Sequence, residues 1–200
     1  MTRYRLRIAC PGGMIETVIN DPGAARRGLA LIAHPHPLHG GSMDNKVVLA
    51  MARTLLELGY VAVRPNFRGV GMSEGDHDHG QGEVEDMLAI VEFVSGRYPA
   101  LPLQLAGFSF GAYVQTQVSR VLDSSRVVLV GPAVNMFDFG AAPAHAHVIH
   151  GERDELVPLP AARSWADAHG LGVTVVPGAD HFFHGKLTQL KHIVTELCRN

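Results

Sequence analysis

Residues 103–117 read LQLAGFSFGAYVQTQ. An apolar run leads into Ser109 and an amphipathic, helix-like pattern leads out of it. Serine is a poor strand former and competes with the backbone inside helices, so its position at the switch needs another reason. Gly107, Ser109 and Gly111 form G-x-S-x-G, in which a tight strand-to-helix turn lifts the hydroxyl clear of a sheet. The two glycines let strand and helix approach closely around a serine expected in a sparsely populated backbone region. The turn also leaves the Phe110 N–H at a helix N-terminus, free to hold developing negative charge. The stretch predicts a nucleophile at Ser109 and a sheet with helices behind it.

The flanking chain agrees. YRLRIAC and MIETVIN on either side of PGG predict an N-terminal β-hairpin. GLALIAH, YVAVRPN, LPLQLAGF, RVVLVGP, AHVIHG and GVTVVPG read as strands, most of them solidly apolar and so covered on both faces. Between them lie helical patterns: NKVVLAMARTLLELG with Gly59 after its end, a segment from about Glu83 to Tyr98, GAYVQTQVSRVL, PAARSWADAHG and KLTQLKHIVTELC. Strands alternating with helices predict an α/β fold with a mostly parallel sheet and helices on both faces. No linker or repeat interrupts residues 1–200, which are expected to form one domain.

Composition narrows the partners. With 46% hydrophobic and 18% charged residues the chain is globular, and a formal net charge of −2 provides no basic footprint for nucleic acid. No apolar run approaches the roughly 18 residues of a membrane span. Cys10 and Cys198 stand near opposite ends of the chain and form neither a metal-type pair nor a disulfide framework. A cytoplasmic location is expected.

A serine hydroxyl needs a base, and the base needs a third group to hold its tautomer. In sheets of this type the order along the chain is Ser, then Asp or Glu, then His. His181, in PGADHFFHG, falls in the loop after the last strand and is the expected base, with His184 next. Asp154, in VIHGERDELVP, falls in the loop after a strand and is the expected orienting acid, with Asp138 of NMFDFG as the alternative. Asp180 adjoins His181, and since adjacent residues point apart it is a poor orienter; Glu152 and Glu155 read as solvated charges, and His150 reads as a packing residue beside Gly151. The loop AHPHPLHGGSMDN follows the first parallel strand, where a second oxyanion donor belongs. Pro35 and Pro37 lack an N–H, leaving His36, with Leu38 as the other donor. His34, His36 and His39, or Asp76 to His79, would be the ligands of a metal, but neither set has the spacing of a catalytic site. GVGMSEG does not fit a dinucleotide fingerprint and no Walker lysine is present, so no cofactor is expected.

AHPHPLHGGSMDNKVV, RPNFRGVGMSEG, GFSFG, HGERDELVP and GADHFF, in this order over about residues 28–185, resemble the α/β-hydrolase superfamily. More narrowly they are similar to small bacterial serine hydrolases of the dienelactone hydrolase-like type, although dienelactone hydrolases proper carry cysteine where this chain has Ser109. The resemblance implies Ser109, Asp154 and His181 as a catalytic triad, with the His36 and Phe110 N–H groups as the oxyanion hole. The implied activity is hydrolysis of small carboxylic esters or thioesters. Peptidase or lactone hydrolase chemistry, or binding without catalysis on a hydrolase scaffold, are the alternatives. Only AVNMFDFGAAPAH lies where lids are inserted, too short for a helical cap. An open site with few walls, acting on a small soluble acyl substrate, is therefore expected.

Overall fold

The computed structural model describes residues 1–199, so of the expected domain only Asn200 lies outside the described residues. The apolar runs become β3 (Gly28–Ala33), β4 (Tyr60–Pro65), β5 (Leu103–Phe108), β6 (Arg126–Val130), β7 (Ala146–Gly151) and β8 (Val173–Val176). Every residue of β3 and β4 is buried, as strands covered on both faces require. The hairpin pairs β1 (Thr2–Cys10) with β2 (Gly13–Asp21), Cys10 opposite Gly13. β1 alternates as its sequence does: Arg3, Arg5 and Arg7 face water while Tyr4, Leu6 and Ile8 turn inward. Its charged outer face blunts the sheet edge.

The eight strands form one sheet in the order β1-β2-β4-β3-β5-β6-β7-β8. β1–β2 and β2–β4 are antiparallel and every other pairing is parallel. Successive strand residues enter opposite cores. Leu29, Leu31 and Ala33 of β3 pack with α2 (Gln81–Arg97) and α3 (Phe110–Val118). Ala30 and Ile32 pack with α1 (Lys46–Glu57) and α5 (Leu187–Cys198). Ala166 places α4 (Leu159–Ala168) on the α2–α3 face. No helix among the described residues is long and apolar enough to cross a membrane.

Helix boundaries differ from expectation by one to a few residues, most at α2, α3 and α4. α2 begins at Gln81, before Glu83, because the Glu83 carboxylate turns back to accept from Gly80 N (2.8 Å) and Asp78 N (3.0 Å). α3 ends at Val118 rather than Leu122, and α4 at Ala168, with His169 as its cap. None of these shifts moves the carboxyl edge of the sheet, where the loops after β3, β5, β7 and β8 gather.

Candidate active site

Ser109 directly follows β5 and caps α3 with φ 56° and ψ −115°, a strained backbone for a residue with a side chain. Its N–H donates to Val130 O of β6 at 2.9 Å, tying the turn to the neighbouring strand. The flanking glycines are required by space. A β-carbon on Gly107 would lie 2.3 Å from Gly111 O, and one on Gly111 would lie 2.4 Å from Ala33 O. The hydroxyl is half-buried and so reachable.

His181 Nε2 lies 3.1 Å from Ser109 Oγ, and His181 Nδ1 lies 2.7 Å from Asp154 Oδ2. A carboxylate only accepts, so Nδ1 carries the ring proton and Nε2 is left to accept from the serine. Asp154 is fixed by its own loop, where Oδ1 accepts from Leu156 N (3.0 Å) and Val157 N (2.8 Å). His150, fully buried, shares that role: its Nε2 lies 2.8 Å from Val157 O and 3.5 Å from Asp154 Oδ2. Burial holds its pKa below the usual histidine range. It is more than packing, because it clamps residue 157 from the carbonyl side while Asp154 holds the N–H. The His181 ring rests on Phe108, with centroids 5.0 Å apart. Arg153 N donates to Ala179 O (2.8 Å) and Gly178 N to Glu152 Oε2 (2.7 Å), joining the Asp154 loop to the His181 loop. Glu152 is thus a tie between loops as well as an exposed charge.

The other candidates lie apart. His184 is exposed and pairs with Asp180 at 2.6 Å. Asp138 is exposed and accepts from Gly140 N at 3.0 Å. Burial pushes the Cys10 thiol up to about 12 and that of Cys198 up to about 11, so neither is poised as a thiolate.

On the far side of Ser109 the loop after β3 supplies free donors. The Leu38 N–H is taken by His36 Nδ1 at 3.2 Å, whereas the N–H groups of His36 and Phe110 have no acceptor among the described residues. His34 fixes this loop, its Nδ1 donating to Pro35 O (2.6 Å) and its Nε2 accepting from Phe67 N (2.9 Å). Both nitrogens are occupied in the neutral ring, and burial lowers its pKa to about 4. Burial, then the neighbouring His77 and His39, lowers that of His36. His77 packs on His36 with centroids 4.7 Å apart and hydrogen-bonds the buried Glu83 at 2.7 Å, a support that no local pattern announced. Among the described residues no group of three or more His, Cys, Asp or Glu is arranged to hold a metal ion.

Ser109, Phe110, His36 and His181 line one cleft of about 630 Å³. Met136 and Phe137, from the segment too short to be a lid, nevertheless form part of its wall, as do Leu156, whose carbonyl accepts from Asn135 Nδ2 at 3.0 Å, and Phe182. The site is open, but better walled than its missing cap suggests. Phe108, Phe110 and Phe183 are fully buried core residues, Phe110 lying in the floor of the cleft, whereas Phe182 is exposed at its edge.

The strand order, the strained serine turn after β5 and the absence of a helical insertion after β6 define the lidless α/β-hydrolase class. A solved Xanthomonas campestris α/β serine hydrolase without lid is 36% identical with a TM-score of 0.95, the match covering 100% of this chain and 94% of that one. An α-β serine hydrolase homologue from Coxiella burnetii is 36% identical with a TM-score of 0.93, covering 99% and 98%. An uncharacterised protein of Rickettsia prowazekii (strain Madrid E) is 31% identical over 201 residues, 93% of this chain and 84% of that protein. Residues 36–158 match the family described as "Serine aminopeptidase, S33", and the chain belongs to that family of α/β serine hydrolases. The matching description is of an aminopeptidase family rather than of dienelactone hydrolases.

Proposed function

We propose that the chain hydrolyses small carboxylic esters or thioesters, with Ser109 as nucleophile, His181 as general base and acid, and Asp154 as the group that orients His181. One observation carries the reading: an unbroken line of hydrogen bonds, 3.1 Å from Ser109 to His181 and 2.7 Å from His181 to Asp154. Ser109 Oγ attacks the acyl carbon as its proton passes to His181 Nε2. The carbonyl oxygen becomes an oxyanion held by the His36 and Phe110 N–H groups, each such donor contributing about 10²–10³-fold in rate. Collapse expels the alcohol or thiol, which takes the proton from His181. Water then attacks the acyl-serine by the same route in reverse, releasing the acid and restoring Ser109. The partner is a small acyl molecule. A cytoplasmic setting suits two free cysteines whose side chains join opposite cores of the sheet.

The family description favours a second reading, removal of N-terminal amino acids from peptides. Holding the substrate ammonium group would call for a carboxylate, and no Asp or Glu lines the cleft among the described residues. Ester or thioester cleavage is the better fit. A fluorophosphonate probe tests the mechanism: mass added at Ser109, with turnover of nitrophenyl acetate and none of aminoacyl nitroanilides, supports it. A folded protein that takes no label is a binder on a hydrolase scaffold.

A further inference from the structure

We infer that the acyl part of the substrate ends in a rigid aromatic ring, an inference that rests on the ester-hydrolase reading above. The chemistry assigns the two ends of the cleft. The leaving atom must receive its proton from His181 Nε2, so the leaving group lies beside His181 and Phe182. The oxyanion points at the His36 and Phe110 N–H groups. The acyl substituent is left against the remaining wall, made by the His36 ring and Phe137, backed by the fully buried Phe110, with Met136 at the rim.

That wall is aromatic and already assembled. Phe137 is nearly parallel to His36 (centroids 6.0 Å apart, 28°) and to Tyr113 (5.1 Å, 21°). Phe110 leans on His36 at 5.0 Å and on Phe137 at 5.2 Å. The order extends backwards. Phe137 N donates to Ala133 O at 3.1 Å, and behind His36 stands His77, hydrogen-bonded to Glu83. Stacked and tilted rings at these separations present faces and edges that suit another ring. A volume of about 630 Å³ far exceeds the needs of an acetyl group and falls in the range of ligand pockets. Without a lid, a flexible alkyl chain laid there would lose the freedom of several torsions while staying partly exposed. A ring covers comparable area at the loss of one or two torsions. The open cleft therefore selects for rigidity as well as apolarity.

The test compares nitrophenyl acetate, hexanoate and 3-phenylpropanoate on the intact protein, each kcat/KM divided by the rate of the same ester with hydroxide. Expected is a value for phenylpropanoate at least about tenfold above acetate and several-fold above hexanoate, the range that differential pocket contacts supply. Phe137→Leu keeps an apolar side chain and removes the plane, so it brings the phenylpropanoate-to-hexanoate ratio close to one; Phe137→Ala repeats the test if the leucine variant melts early. Hexanoate equal to or better than phenylpropanoate, with acetate still cleaved, overturns the inference and leaves the hydrolase reading standing. No cleavage of any ester and no fluorophosphonate label on folded protein removes both.

Discussion

Gly111 passes so close to Ala33 that a β-carbon on the glycine would sit 2.4 Å from the Ala33 carbonyl oxygen and 2.6 Å from that of His34. The contact joins the serine turn to the end of β3, from which the His36 loop departs. Gly111→Ala must push these two backbones apart, which costs about 1–3 kcal/mol as overpacking. The shift also moves Ser109, so kcat/KM on nitrophenyl acetate falls about 10²-fold. Gly96→Ala is the comparison: nothing lies within 4 Å of a β-carbon there, in α2, and the helix gains roughly 0.5–1 kcal/mol. Urea unfolding and initial rates on both variants check the pair, and a Gly111→Ala protein as active as the parent removes the packing argument.

Ser109, His181 and Asp154 could be picked out along the chain because each sits where an apolar run stops, and in a parallel sheet those stops share one edge. Asp180 lies past a strand end too, and what separates it from Asp154 is its adjacency to His181, since neighbours along the chain point apart. What stayed illegible depends on how loops close, over short spans as well as long ones. The bond between His34 and Phe67 N spans a strand pair and a helix, so in the sequence His34 is merely one of three histidines resembling ligands. Glu83 marks a helix start, yet its grip on His77, and through it the support of His36, arises only when the loop leading into α2 curls over the helix's first turn. His150 reads as a packing residue, but a packing role does not foretell its bond to Val157 O. The place of β2 beside β4 is equally absent from periodicity, which reports which face is covered and not by what.

Asp154→Asn should cost far more than its small change in volume. The amide can donate to Nδ1, which favours the tautomer with Nε2 protonated and unable to accept from Ser109. A loss of about 10³–10⁴ in kcat follows, with KM little changed. Asp138→Asn, at an exposed residue whose carboxylate meets Gly140 N, should stay within about twofold of the parent. Steady-state kinetics on nitrophenyl acetate compare the two, and equal losses would shift the orienting role away from Asp154.

His34 makes stability depend on pH with a definite sign. Burial lowers its pKa to about 4 from the ordinary 6.5, so as pH falls the unfolded chain takes up the proton first. The neutral ring contributes fully above pH 6.5. Its contribution, about 3 kcal/mol, is lost as pH falls from 6.5 toward 4 and levels off below. His36, His147 and His150 are lowered too and add slopes of the same sign. The informative quantity is therefore the difference between parent and His34→Gln. Urea unfolding free energies at pH 7.5, 6, 5 and 4.5 should converge toward low pH, the variant beginning lower and falling less steeply. Parallel lines would mean that His34 titrates in the folded state as it does in the unfolded chain, and lines that draw apart toward low pH would mean that the folded ring is the better base.

A backbone donor can be removed where the chain already accepts proline, and His36 offers that chance. Its φ is −52°, within the range a pyrrolidine ring imposes, so His36→Pro deletes the N–H with little change in the path of the loop. Both His36→Pro and His36→Ala lose the imidazole and its bond to Leu38 N. Only the proline variant loses the proposed oxyanion donor. If that N–H holds the developing charge, kcat for the proline variant lies about 10²–10³-fold below that of the alanine variant. Labelling by the fluorophosphonate, whose phosphoryl oxygen occupies the same hole, slows in parallel. Matching thermal melts for the two variants separate the chemical loss from a folding loss. Equal kcat values would move the second donor elsewhere, and Phe110 N–H would be left without the partner assigned to it.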